Sequence, residues 1–494
     1  MNAYLGLDLG TTSLKALLVG ADGQVLHSLS HPLSLYSPKA AWAEQNPAAW
    51  IKAAESLFTS IPKKFRIRRI GISGQMHSLV PLDERDQVIR PAILWCDQRT
   101  SDQCRRATQL LGGEERVIEL VGNPIYEGFT LGKILWLREQ EPENYSRIKS
   151  FLLPKDYLAF WLTGRKGIEP SDASGTAAFD VRRGCWNAEV LKRLDLAADI
   201  FPKVQPSGAV RGVLKKELAQ RFGFDEVEVA AGGADNAASA LGVGLVEPGD
   251  VMVSVGTSGT VAAVTADGRP DSSGRLHFFS HVLPGQNYYM GVMMAAASAV
   301  NFFSSKIGRE GRDWNWDELT QKAGAVAPGG GGLIYLPYLN GERTPLRDPD
   351  ARGVLFGLSQ QSDWPSIIRA ALEGVSFGLR DNFELIREKA EIRKVYLVGG
   401  GAKNPLWRRI LAANFQEELV VPDVDEGGAY GAAMLAAACD GQALAGLAAW
   451  VKPKVVEKPR DNLVRAYENW YPEYKGLYQD LKLRFKRLSE ISAE

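Results

Sequence analysis

Apolar runs broken by short polar turns set the plan of the chain from its first residues. The stretch "YLGLDLGTTSLKALLVGADGQVLHSLS" (residues 4–30) holds three such runs, separated by Gly10-Thr11-Thr12-Ser13 and by Asp22-Gly23. Apolar runs of this length bounded by turn residues, with Asp-Gly as a hairpin signal, predict an antiparallel meander of three strands. The plan returns in "GDVMVSVGTSGTVAAVTADG" (residues 249–268), where Gly256-Thr257-Ser258-Gly259 separates two more apolar runs. The first glycines of the two turns, Gly10 and Gly256, lie 246 positions apart in a chain of 494 residues. Self-similarity at half the chain length predicts two similarly built halves.

Each half continues with strand and helix patterns in alternation. "PAAWIKAAESLFTSI" predicts a helix and "RIRRIGISG" a short strand. In the second half, Ile368, Leu372, Val375, Leu379, Phe383 and Ile386 recur at three- and four-residue steps, one buried face of a long helix. Asp363 is its expected N-cap, and Pro365 suits its first turn. "RKVYLVGGGAKN" then predicts a buried strand ending in a glycine turn. Helices interleaved with strands imply an α/β architecture. Pro and Gly in "GLVEPGD" place the boundary between domains 1–246 and 247–494, with an accessory helical tail after about residue 450. "GAYGAAMLAAA" predicts a structural helix of small residues for close packing.

Composition narrows the partners. Lys plus Arg (58) equals Asp plus Glu (58) and no basic tract stands out, which argues against nucleic acid or an anionic membrane as principal partner. Four scattered cysteines without a CxxC pair suggest free thiols in a reducing compartment. No signal-peptide pattern opens the chain, and the apolar stretch 431–450 is interrupted by Asp440, Gly441, Gln442 and Gly446. A cytoplasmic protein is expected, with assembly as a homodimer left open.

Two common nucleotide-binding signatures fail. There is no GxxxxGK[ST], and Gly399-Gly400-Gly401-Ala402-Lys403-Asn404 ends in Asn where the dinucleotide fingerprint needs Gly or Ala. The paired turns offer another device, since glycine lets a phosphate approach backbone N–H groups and Thr adds a hydroxyl. Thr12 and Thr257 are the candidates there, and both turns also read as ordinary tight hairpins. Asp8, just before the first turn, is placed to hold Mg²⁺ through water. Gly400 and Gly401 read equally as a plain strand-to-helix turn, and only the accompanying motifs quoted below make them, with Asn404 and more weakly Asn301, candidates for a nucleotide.

One further stretch asks for an explanation. In "AGGADNAASALGVG" (residues 231–244), Asp235 is the only charge among side chains too small to shield it. It reads either as a helix N-cap or as a working carboxylate that a helix N-terminus would keep ionised. Asn236 beside it offers an amide donor and acceptor.

The ordered series "GLDLGTTSLKALLV", "GISGQMH", "AILWCDQRT", "LLPKDYLAFWLTG", "AGGADNAASALGVG", "SVGTSGT", "LPYLNGERTP", "GVLFGLSQQSDWPSIIRAALEG" and "LVGGGAKNPLWRRILA" resembles the FGGY carbohydrate kinases over about residues 3–440. Among them the xylulose-phosphorylating members are most similar. Ser366 departs from the acidic or amide residue usual there, and "GNPIYEGFT" matches less well. The resemblance implies two actin-like ATPase (ribonuclease H-like) domains with an interdomain cleft. It implies ATP- and Mg²⁺-dependent conversion of D-xylulose to D-xylulose 5-phosphate, with Asp235 as catalytic base. It also makes Met76 and His77 sugar contacts, although gluconate kinases can carry the same pair. Trp95 and Asp97 either line that pocket or form a core Trp beside a solvated Asp. Ribulose, gluconate or a related polyol is the alternative substrate, and a non-catalytic sugar or nucleotide sensor the alternative class.

Overall fold

Asn2–Leu9 (β1), Ser13–Val19 (β2) and Val25–Pro32 (β3) form the predicted meander, with β1 antiparallel to β2 and β2 to β3. The helix Pro47–Ser60 (α1) follows, and its Asn46 side chain accepts from the Ala48 N–H at 3.0 Å. The chain then returns as Arg66–Gly74 (β4), parallel to the free edge of β1, with Glu228–Ala230 (β5) parallel to β4 beyond it. The helices Thr130–Gln140 (α2), Pro154–Thr163 (α3), Pro170–Ser174 (α4) and Asp235–Gly242 (α5) complete the elements used below from this part.

The pattern then repeats. Asp250–Val255 (β6) is antiparallel to Gly259–Thr265 (β7) across the second Gly-Thr turn. Its other edge is parallel to Lys394–Val398 (β8), which runs parallel to Leu419–Pro422 (β9), and Pro453–Glu457 (β10) closes that side antiparallel. Each half thus has a central strand that enters a Gly-Thr turn, an antiparallel partner after the turn, and a parallel partner on the other side. This doubled topology is the actin-like ATPase (ribonuclease H-like) fold, as expected.

The computed structural model of the chain describes residues 1–307, 316–424 and 426–493. Two compact units share them. The first comprises Met1–Glu247, Val264–Tyr288 and Glu426–Lys452; the second comprises Pro248–Ala263, Tyr289–Asp425 and Pro453–Glu494. Segments therefore cross over in sequence, and the helix Gly427–Cys439 (α9) packs within the first unit. Close approach of backbones explains its composition. A Cβ on Gly6 would sit 2.0 Å from the Ala429 carbonyl oxygen, and one on Gly71 would sit 1.8 Å from that of Ala432. No side chain fits at such distances, so the helix lies directly on β1 and β4.

In the second unit Ala297–Ile307 (α6) is followed by Trp364–Arg387 (α7), whose N-cap Asp363 accepts from the Ser366 N–H at 3.0 Å. Ile368, Leu372, Val375, Leu379, Phe383 and Ile386 are all buried, as their spacing predicts. Pro405–Phe415 (α8) follows β8, and Asp461–Ala493 (α10) ends the chain with Tyr467, Tyr474, Tyr478 and Phe485 buried along one face. Among the described residues no helix is long and apolar enough to cross a membrane.

Candidate active site

Strand register assembles the site in the first unit. Asp8 on β1 lies beside Ser73 on β4, and Ser73 lies beside Gly233, two residues before Asp235. Ser73 Oγ donates to Asp8 Oδ1 at 2.8 Å. Three neighbouring strand segments thus end together, and the two acids stand at their carboxyl ends, where open α/β sheets bind ligands.

Asp235 is not an N-cap. Ala234 holds that position, and Asp235 is the first helical residue of α5. Its Oδ1 accepts from the Asn236 N–H at 2.7 Å and from Asn236 Nδ2 at 3.2 Å, not from an amide two or three residues further on, as a cap would. Nor does the helix start keep it easily ionised. Burial, and next the charge of Asp8, push its carboxyl up to about 7, against the single opposing bond from the Asn236 amide. Desolvation wins over the helix dipole.

Asp8 is itself raised by burial, with the Ser73 hydroxyl and Lys15 working the other way. Two carboxyls that each resist ionisation and repel one another form a donor set that a divalent cation would relieve. The residues fit Mg²⁺ in a second respect. A Cβ on Gly428 would stand 2.7 Å from Asp8 Oδ2, so the glycine keeps space open beside that oxygen.

Met76, His77 and Asn236 are brought to the same acids. Asn236 Nδ2 lies 3.7 Å from the Met76 sulfur, which ties the Met-His turn to the start of α5. His77 has φ +66°, a left-handed conformation that a non-glycine residue keeps only when its surroundings hold it. Its Nδ1 donates to the Gly175 carbonyl at 2.6 Å, and its ring stacks on Phe129 with centroids 4.4 Å apart. Gly175 can be nothing larger, since a Cβ there would meet His77 Nδ1 at 2.5 Å and Met76 Cε at 2.8 Å.

Trp95 and Asp97 reverse their expected environments. Trp95 is 45% exposed and donates its indole N–H to Thr11 Oγ1 at 2.9 Å. Asp97 is fully buried, pairs with Arg99 at 2.7 Å and accepts from the Ala43 N–H. The acid is structural; only the Trp is presented to solvent.

Sequence reasoning missed the supports beneath Asp235. Lys155 is fully buried among Asp156 (2.8 Å), Asp172 (2.9 Å) and Glu169 (3.4 Å). Glu169 accepts from Ser171 Oγ, and that oxygen accepts from the Ala234 N–H at 2.9 Å, which fixes the backbone just before Asp235. The run "EPSDASGT" was the available signal, two acids and three hydroxyls clustered around Gly175. Tyr288, buried with its hydroxyl unpartnered, also feels the charge of Asp235 first among several carboxylates. Nothing in the local sequence marks it.

Thr12, in the first unit, and Thr257, in the second, are both exposed at the tips of their turns. The turns close by Gly10 N–H to Ser13 carbonyl and Gly256 N–H to Ser258 carbonyl, each 3.0 Å. In the second unit the three glycines after β8 differ sharply. A Cβ on Gly401 would strike Val255 Cγ1 at 2.4 Å, so packing alone demands that glycine, whereas Gly400 faces open space within 4 Å. Asn404 is the N-cap of α8, its Oδ1 accepting from the Leu406 and Trp407 amides at 2.9 and 3.1 Å. Asn301 is exposed on α6.

Comparison with known proteins agrees along the whole chain. Family models described as the N-terminal and C-terminal domains of the FGGY family of carbohydrate kinases match residues 3–242 and 251–439. A xylulose kinase of Lactococcus lactis subsp. lactis (strain IL1403) is 40% identical, covering 100% of this chain and 98% of its own. A gluconokinase of Bacillus subtilis (strain 168) is 33% identical over 88% of this chain and 87% of its own. The crystal structure of a xyloylose kinase from Brucella ovis superposes with a TM-score of 0.91 at 35% identity, covering 97% of this chain and 99% of that one.

Proposed function

The chain belongs to the FGGY family of carbohydrate kinases, and we propose that it phosphorylates D-xylulose with ATP to give D-xylulose 5-phosphate. The carrying observation is Asp235, a carboxyl pushed up to about 7 beside Asp8 and in contact with Asn236. A general base works best when its pKa lies near the operating pH. Phosphoryl transfer asks little else of covalent chemistry from a protein.

In this reading the terminal sugar hydroxyl attacks the γ-phosphorus. The new O–P bond forms as the bond to ADP breaks, and the hydroxyl proton passes to Asp235. Met76, His77 and Asn236 hold the sugar so that this hydroxyl faces the carboxylate. Thr12 and the backbone amides of its turn receive phosphate oxygens, and in the second unit Thr257, Gly400 and the free amide side of Asn404 serve the nucleotide. Gly401 is retained for its backbone only. Asp8 would hold Mg²⁺ through water, and the ion would supply charge neutralisation for the transferring group.

Gluconate is the second reading, favoured by the gluconokinase relative. A sugar acid needs a cation to face its carboxylate. The buried lysines that underpin this cluster are already engaged: Lys155 with three carboxylates and Lys133 with backbone carbonyls. Met76 and Asn236 carry no charge, which supports a neutral ketose, while the Met76-His77 pair itself is compatible with either substrate. ADP release measured over a panel of D-xylulose, D-ribulose, gluconate and polyols tests this. D-xylulose should give the highest kcat/KM, and a higher value for gluconate would replace the reading.

A further inference from the structure

The segment 122–130, which matches the family poorly, is tied down by a residue that the reaction itself does not use. Lys133 is fully buried on α2. Its Nζ reaches three successive carbonyl oxygens of the segment before the helix: Glu127 at 3.4 Å, Gly128, and Phe129 at 3.1 Å. An ammonium group has three donors and no acceptor, so three carbonyls in a row use its full capacity. Burying that charge is costly: desolvation pulls it down to about 7, against the opposing charge of Asp97. A fold that keeps a lysine here keeps it for what it holds.

What it holds leads to His77. Phe129, whose carbonyl Lys133 binds, stacks its ring on the imidazole with an interplanar angle of 15°. Thr130, the next residue, donates its hydroxyl to the His77 carbonyl at 3.0 Å. Gly128, another of the three, lies against Trp95, where a Cβ would come 2.7 Å from the Trp95 carbonyl oxygen. The strained φ of His77 is therefore fastened on this side by two residues, Phe129 and Thr130, anchored in the segment that Lys133 grips.

We infer that Lys133 is a positioning residue for sugar recognition, acting through the Glu127–Phe129 backbone to hold the His77 imidazole at the angle the sugar requires. The inference rests on the proposed contact between His77 and the sugar. It acts on the acceptor alone, so the nucleotide should not notice its loss.

The test uses the full-length enzyme and steady-state kinetics in both substrates. Lys133→Met should raise KM for D-xylulose about tenfold or more while KM for ATP stays within about twofold. Combining it with His77→Ala should add little to the effect of His77→Ala alone, because both remove the same contact. Equal changes in both KM values, or full additivity with His77→Ala, would overturn the inference by reducing Lys133 to a general structural role. An unchanged KM for D-xylulose in His77→Ala would instead sink the sugar-contact reading beneath it. Should Lys133→Met fail to fold, Lys133→Gln carries the same test: it keeps a polar side chain but has only two donors for the three carbonyls. The same selective rise in sugar KM is expected, and its absence would overturn the inference.

Discussion

Ser73 donates its hydroxyl to Asp8 at 2.8 Å across two parallel strands, and the same register sets Ser73 beside the backbone that delivers Asp235. One row of main-chain pairing thus fixes the spacing of both acids. Their mutual repulsion follows from that geometry, as does the raised carboxyl of Asp235.

The pH dependence of turnover follows. A base must be deprotonated to work, and Asp235 takes up its proton as the pH falls through about 7. The ratio kcat/KM for the sugar should therefore drop about tenfold per pH unit below that value. A profile of initial rates from pH 5 to 9 checks this, and a flat acid limb contradicts it.

Stability should move the opposite way. The folded-state carboxyl of Asp235 lies above its unfolded value of 3.8, so the native state binds more protons and loses stability as the pH rises from about 4 to about 7. Asp235→Asn removes that term. The variant should melt above the parent protein at pH 8 and no higher at pH 4, measured by differential scanning calorimetry. Active sites that hold strained charges commonly show this trade.

Gly400 and Gly401 should separate folding from binding. Gly401→Ala drives a methyl into Val255 and should cost about 1–3 kcal/mol of stability. Gly400→Ala meets nothing in the protein and should fold normally while KM for ATP rises. Thermal melts and ATP titrations of both variants decide it. A Gly400→Ala enzyme with unaltered ATP affinity would remove that residue from the nucleotide site.

Gly71 tests the packing of α9. An added methyl would overlap the Ala432 carbonyl at 1.8 Å, with backbone on both sides and no side chain able to move aside. Gly71→Ala should lose about 3 kcal/mol or more in urea unfolding, the upper end of overpacking costs. An effect below about 1 kcal/mol would mean that the helix can slide.

Much of this was legible in the chain itself. The Gly-Thr turns, the half-length repeat and the amphipathic face of α7 are local patterns, and local patterns report strands and helices well. Other features depend on partners far away in sequence. Gly6 and Gly71 are explained only by Ala429 and Ala432, over 300 residues later. Asp97 is buried because Arg99 and the Ala43 amide meet it there, and no periodicity records that. Asp235 was noticeable as an isolated charge, but its position one residue past the cap, and its proximity to Asp8, needed the β1–β4 register. Gly401 looked like Gly400 in sequence, and only the position of Val255 tells them apart.

The decisive measurement is sugar-stimulated ADP release by Asp235→Asn beside the parent enzyme, with ATP affinity determined on the same samples. Loss of a general base predicts a fall in kcat of about 10²- to 10⁴-fold at an ATP affinity within about twofold of the parent. Turnover within a few fold of the parent would show that another group takes the proton.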